Sequence, residues 1–442
     1  MMNRRGVSPV VAILLLILIA IGAGIAVYMY ITSFTSSTMI NTVVGESLMS
    51  IDVAYYDTES KRFVFFVKNI GPSIIQLDRA YVTSPAGETE SRPILRADWL
   101  KGWNYRRKIT IRENSGSNLV GYQVKIVLNS SNFDFSKTSA DGRDIRFTDS
   151  DGVTLLSYWI EKWDSIRQEA TIWVKISLIP ASSQKIIYVY YGNPTASDAS
   201  SPGDVFEFFD DFNTYSGWSG DVNQFDITSL AGENVLYVKG WGYPGWIYKR
   251  LNETLTSYVV ECLLRDESDI SNNPHPGVII AGSDGNNWNA VYMRASSNQI
   301  VGSTTTNGVN WFGYPVDYYL INEKTWYKVE AIVVDGSLKA LYINGTKLNS
   351  FNNWDVKDSL SIVGLIHYGL TDGPGYYDKL RVRKYTEPEP SVLVGQEEVS
   401  ILTIGPNKTV KIAIPIESVR SGTYTLKLVA KDGAVITVTI KV

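Results

Sequence analysis

From Val10 to Ile31 the chain runs for 22 residues without a charge. As a helix rising 1.5 Å per residue, this run reaches about 33 Å, the depth of a bilayer's hydrocarbon core. In lipid every backbone N–H and C=O needs a partner inside the segment, so the run reads as helix, not strand. It is longer than a secretory h-region, and no small-residue cleavage site follows it. Arg4 and Arg5 stand directly before it. Positive charge on that side puts the N-terminus in the cytoplasm and the remainder outside. Ala20, Gly22, Gly24 and Ala26 would let a second helix approach closely. The expectation is one long hydrophobic helix over residues 7–45, in the membrane or packed against its like.

Everything after the helix reads as β. "SIDVAYYD", "RFVFFVKNIG" and "IIQLDRAYVTS" are strand-like runs broken by Asp, Ser, Gly and Pro. The C-terminus repeats the pattern. Val410, Ile412, Ile414 and Ile416 alternate with polar or small residues, as do Tyr424, Leu426 and Leu428, then Ile436, Val438 and Ile440. Asp432-Gly433 marks a hairpin turn between the last two runs. Residues 46–95 and 399–442 are each too short to bury a stable core alone. Together they approach the size of an immunoglobulin-like sandwich. The expectation is a split headpiece with residues 96–398 inserted in one of its loops; the alternative is a string of separate small domains.

The insert divides in two. Residues 96–203 contain the alternating run Tyr122, Val124, Ile126, Leu128 and the strand-like "ATIWVKI" and "KIIYVYYGN". Residues 204–398 open with "FFDDF" and hold "WYKVEAIVVDGSLKALYINGTKL", whose Asp335-Gly336 and Asn344-Gly345 are hairpin turns. They close with "GYYDKLRVRKY" and a linker, "TEPEPS". The fold class is therefore all-β and multi-domain, an immunoglobulin-like headpiece plus a β-sandwich or jelly-roll insert, carried on one N-terminal α-helix.

Three resemblances follow from these motifs. "RRG" before "VSPVVA" and a long apolar helix resembles the class III signal peptide of archaeal type IV pilins, and "FVKNIGPS" with "LTIGPNKTVKIAIPI" is similar to pilin and archaellin headpieces. That resemblance implies removal of residues 1–6 by a prepilin peptidase between Gly6 and Val7. It implies a helix kept in the mature protein and packed against other pilin subunits. The glutamate that many bacterial pilins carry at the fifth mature position is Val11 here. "WNYRRKITI…DIRFTDSDG…LLSYWIEKWD…IYVYYGNP" resembles an uncharacterised β-domain family of archaeal and bacterial surface proteins. The run from "FFDDF" to "GYYDKLRVRKY" resembles laminin-G and concanavalin-like jelly rolls. That family implies a scaffold that binds glycans or proteins, with some glycosidases among its members.

Charge and composition narrow the chemistry. With 41 basic and 45 acidic residues the chain offers no field for nucleic acid. The single cysteine, Cys262, excludes an internal disulfide, and two histidines, His275 and His367, limit histidine-based catalysis. Glycan binding is the leading ligand chemistry. Trp241, Tyr243 and Trp246 lie in "GWGYPGW", Trp288 and Asn289 in "DGNNWNA", and Trp311 and Tyr314 in "NWFGYP". On loops, aromatic rings stack on sugar C–H faces while neighbouring amides and carboxylates bond the hydroxyls. In a core the same rings would only fill space. Calcium is the one cofactor expected: if the first and last jelly-roll strands lie side by side, Asp210 and Asp211 come near Asp378 and supply hard oxygen ligands. Retaining glucanases on this fold need carboxylates at alternating strand positions, and Glu261 in "VVECLLRDESD" has no acid two residues on. No catalytic residue is expected. Asn129, Asn252, Asn344 and Asn407 each begin an N-x-S/T triplet.

The sequence reading is an extracellular, pilin-like filament subunit, minor or at the tip, with an inserted glycan- or surface-binding module for adhesion. The alternatives are a membrane-anchored carbohydrate-binding surface protein that does not polymerise, and a surface glycoside hydrolase.

Overall fold

The computed structural model describes residues 48–442 except 93, 97–98, 240–244, 267–274, 308–311, 357–358, 369–373, 401 and 417–418. The expected signal peptide, the Gly6–Val7 bond and the helix over 7–45 lie outside the described residues. The described chain is nearly all β, built from several sheets; its one α-helix, Pro202–Val205, is a single turn.

The chain forms two compact units. The first takes the described residues up to Arg106, Asp151–Val153 and Glu397–Val442; the second takes Arg107–Ser150 and Thr154–Gln396.

The first unit interleaves the two ends of the described chain. Arg62–Asn69 pairs on one side with Met49–Asp57 and on the other with Thr409–Pro415, putting Phe65 opposite Ile412. In a second sheet Ile75–Thr83 pairs with Thr423–Ala430, which pairs with Val435–Lys441. Alternation sends Phe63, Phe65 and Val67 to the same core as Ile412, Ile414, Leu426 and Ile436. Asn69, fully buried, donates from Nδ2 to the carbonyls of Ser73 at 2.7 Å and Ile404 at 2.8 Å, and its Oδ1 accepts from the N–H of Gly71 at 2.8 Å. One side chain thus ties an early turn to a strand more than 300 residues later.

The second unit contains two sandwiches. In the first, a three-stranded sheet of Tyr158–Asp164, Glu169–Ile179 and Leu119–Asn129 packs with a five-stranded sheet. The five-stranded order is Ser391–Val399, Tyr105–Arg112, Gln184–Tyr191, Arg146–Thr148 and Leu155–Leu156. This corrects the sequence boundary that ran the jelly roll and its linker to residue 398. Pro388 and Pro390 have no N–H for a ladder, so the chain leaves the second sandwich after Lys384. It re-enters as an edge strand of the first. In the second sandwich a nine-stranded and a seven-stranded sheet enclose one large core. Tyr258, Val260, Cys262 and Leu264 come from the first sheet and Val278, Val291, Val363 and Leu365 from the second. The turn pairs Asp335-Gly336 and Asn344-Gly345 both have positive φ at each residue, the backbone that a two-residue hairpin requires.

Candidate functional site

Strand alternation builds this site. In Ser257–Asp266, Tyr258, Val260, Cys262 and Leu264 enter the core of the second sandwich, so Glu261 points out of the opposite face of the nine-stranded sheet. In the neighbouring Gly375–Lys384, Leu380 and Val382 point inward, which turns Arg381 and Arg383 outward beside it. Lys328 and Glu330 join them from Trp326–Val334. A solvated face would expose these five side chains. Here the outer face of the three-stranded sheet lies over it. In Glu169–Ile179, Ile172 and Val174 are buried inside their own sandwich while Trp173 projects the other way, opposite Trp159. Gln123 and Lys125 project alike from Leu119–Asn129.

The result is a buried ionic and aromatic cluster. Arg381 Nη2 lies 2.7 Å from Glu261 Oε2, and Arg381 Nη1 lies 2.8 Å from Glu161 Oε1. Arg383 Nη1 lies 2.6 Å from Glu389 Oε1, which also accepts from the Tyr122 hydroxyl at 3.0 Å. Lys328 Nζ pairs with Glu261 Oε2. The Arg381 guanidinium sits over Trp159, Trp173 and Phe206 at 5.2 to 5.4 Å, and Arg383 over Trp173 at 5.0 Å. Trp173 Nε1 donates to Glu161 at 2.8 Å. Side-chain exposure is 3% for Glu261, 5% for Arg381 and 6% for Arg383. Burial works to raise the Glu261 carboxyl; the charges of Arg381, Lys328 and Arg383 outweigh it and hold the group well below its ordinary range. Ions this deep persist only when paired and hydrogen-bonded.

Two cavities flank the cluster. One, of about 220 Å³, is lined by Arg383, Glu261, Lys328, Glu330, Glu389 and Lys125 among others. The second, of about 170 Å³, lies against Trp159, Glu161, Lys379 and Arg381.

Sequence reasoning missed this cluster. Nothing local to Glu261 marks its partners Lys328 and Arg381, which lie 67 and 120 residues further along the chain. The available signal was "RVRK", which spaces two arginines on one face of a strand that closes a core.

Of the residues singled out for glycan binding, the described Trp246, Trp288 and Asn289 are turned into the protein. Trp288 is fully buried, packed with Ile279, Tyr292 and Ile366 and with its Nε1 donating to the Gly285 carbonyl at 3.2 Å. That corrects the loop placement. "NWNA" is inside the strand Asn287–Arg294, so Trp288 and Asn289 point to opposite faces. Asn289 is buried and donates to Thr304 Oγ1 at 2.7 Å. Trp246 is half-buried against Trp288 and donates to the Gly285 carbonyl at 2.7 Å. Trp241, Tyr243 and Trp311 lie outside the described residues, as does the side chain of Tyr314, whose backbone belongs to the strand Phe312–Tyr318.

The opening and closing strands of the second sandwich do pair: Phe208–Asp210 runs antiparallel to Gly375–Lys384, with Asp210 opposite Leu380. Yet Asp210 is 3.0 Å from Lys249 Nζ, and Asp211 accepts from Asn213 at 2.7 Å. Burial and the charges of Glu233 and Asp211 push Asp378 up to about 6, against the pull of Lys379. Among the described residues no group of three or more His, Cys, Asp or Glu is spaced to hold a metal ion. Of the glycosylation candidates, Asn252, Asn344 and Asn407 are exposed. Asn129 is half-buried, its Oδ1 accepting from the N–H of Ser131 at 2.9 Å.

Comparison with known proteins adds little chemistry. Residues 141–221 match the model of a domain of unknown function, DUF2341. No curated protein matches the chain. Among solved structures, a carbohydrate binding module from Bacillus subtilis aligns at 10% identity over 38% of this chain and 96% of its own, with TM-score 0.30. A Bacillus licheniformis beta-glucanase aligns at 14% identity over 40% and 98%, TM-score 0.31. The carbohydrate recognition domain of Emp47p aligns at 9% identity over 41% and 96%, TM-score 0.30. At these TM-scores none of the three bears on ligand or activity.

Proposed function

We propose that the chain is a cell-surface subunit of the archaeal type IV pilin kind that displays a glycan-binding module for adhesion. The apolar run over 10–31 is the filament or membrane element, with processing after Gly6. The first unit is the headpiece, and the second is the module it presents. One observation carries this reading: strands from both sides of the second unit pair directly, Phe65 opposite Ile412, so the second unit is an insertion. Hydrolysis through Glu261 is disfavoured by its surroundings. The residue is locked between Arg381 and Lys328 and has neither a free partner carboxylate nor the raised pKa of a general acid.

The test is binding of the full-length chain, purified in detergent, to an immobilised glycan array. Saturable retention on a defined glycan class supports the reading. Failure to retain on any glycan, with the protein folded, would remove the adhesive ligand from it.

A further inference from the structure

The outer face of the nine-stranded sheet carries charge where the first sandwich covers it and aromatic rings where it does not. Five adjacent strands run in the order Phe225–Leu230, Glu233–Val238, Gly375–Lys384, Ser257–Asp266 and Trp326–Val334. Across them Asp226 stands opposite Tyr237, Tyr237 opposite Tyr376, Tyr376 opposite Arg265 and Arg265 opposite Trp326. Their chain neighbours Phe225, Leu236, Tyr377, Leu264 and Tyr327 all enter the core, so these five side chains share the outer face. Tyr237, Tyr376, Arg265 and Trp326 are half-buried, and the Asp226 side chain, paired with Lys239 at 3.0 Å, is 51% exposed. Leu263 and Lys328, two residues along from Arg265 and Trp326 on the same face, meet Trp159 and Glu161 of the first sandwich. The row therefore runs along the foot of that sandwich, a floor with one wall.

The make-up of the row points to its occupant. It holds no aliphatic side chain. The Tyr237 and Tyr376 rings lie 6.4 Å apart at 34° to one another, and the Trp326 indole follows two strands further on. Between and beside them stand a guanidinium and a carboxylate. A sugar offers both complements, an apolar C–H face for the rings and a rim of hydroxyls for the charged groups. Neighbouring strands are about 4.8 Å apart, a spacing comparable with the repeat of an extended pyranose chain. From Asp226 to Trp326 the row spans four such spacings, about 19 Å. We infer that this row is a binding platform for an extended polysaccharide chain laid across the strands. Tyr237, Tyr376 and Trp326 carry its sugar rings, and Arg265 and Asp226 bond its hydroxyls. The inference rests on the glycan-binding reading and gives it a site that the sequence did not single out.

The experiment uses the full-length chain in detergent. Gluco-, manno- and chito-oligosaccharides, from monosaccharide to hexasaccharide, are titrated by calorimetry and saturation-transfer NMR. Tyr237→Ala and Trp326→Ala remove rings that lie outside the core, Tyr237→Phe keeps the ring, and thermal melts confirm folding. The expected result is binding of one series with affinity that rises with chain length. Each alanine variant weakens it at least about fivefold, and Tyr237→Phe stays within about twofold of wild type. Equal binding by wild type and all variants places the site elsewhere and leaves the adhesive reading standing. A monosaccharide held as tightly as the longer chains overturns the platform. Self-association of the wild type that both alanine variants abolish, with no effect on carbohydrate, makes the row a contact between copies and overturns the inference. If no carbohydrate binds any form, on the array or in titration, the inference and the adhesive reading fall together.

Discussion

Arg381 and Glu261 face one another across adjacent antiparallel strands, Nη2 to Oε2 at 2.7 Å, in a layer closed to solvent by a second sandwich. The pair belongs to the sheet of one sandwich, and Glu161 and Trp173 of the other complete it. The contact surface of the second unit is therefore built on charge that neither sandwich could bury alone.

Removing the central carboxylate should cost far more than a surface substitution. Glu261→Ala leaves Arg381, Arg383 and Lys328 clustered without their common partner. Breaking a buried pair in this way costs about 3–5 kcal/mol. Denaturant titration followed by tryptophan fluorescence checks it, and a loss under about 1 kcal/mol would mean that water reaches the cluster.

The pH dependence has two opposed parts. Burial, with His275 close by, depresses His367 to about 4 from an ordinary value of 6.5. The unfolded chain therefore takes up that proton first, and stability present above pH 6.5 declines as pH falls through 4. Asp378 is raised to about 6 from 3.8, so its contribution is whole below 3.8 and lost as pH rises through 6. Asp378→Asn should raise the melting temperature at pH 7 and leave it unchanged at pH 3.5. His367→Phe should flatten the decline between pH 6.5 and 4. Melts across that range read both effects, and a pH 7 melting temperature unmoved by Asp378→Asn would contradict the first.

Trp288 should behave as core. Trp288→Ala removes the largest fully buried side chain among the described residues, a change that costs about 3–5 kcal/mol. Any loss of glycan retention should track loss of fold. A Trp288→Ala protein with native melting and no retention would instead make the ring a ligand platform.

In the first unit, Asn69→Ala orphans the carbonyls of Ser73 and Ile404 and the N–H of Gly71. A cost of about 1–3 kcal/mol is expected. Hydrogen exchange should accelerate in Arg62–Asn69 and Thr409–Pro415 and stay unchanged in the second unit. Equal acceleration in both units would contradict the separation of the two cores.

Some of this fold is legible in local pattern. Val410, Ile412 and Ile414 alternate in sequence and lie on the strand that pairs with Arg62–Asn69. The turn at Gly433 joins the last two long strands as its Asp-Gly pair suggests. What pattern cannot report is which polar face another sheet will cover. Arg381 and Arg383 alternate with core residues as surface charges do, and only the packing of a distant sandwich makes them buried. Trp288 misleads in the opposite sense. Its Asn-rich flanks read as loop, but Asn287 and Asn289 belong to the ladder of Asn287–Arg294. Propensity yields there to the neighbouring strands.

The most direct test of the pilin-like reading is the N-terminus of the mature protein. Mass spectrometry would be applied to filaments sheared from cells and, separately, to washed membranes. The account predicts chains beginning at Val7 in the sheared fraction. Chains beginning at Met1 or Met2 and confined to membranes would contradict it, leaving an anchored surface protein that does not polymerise.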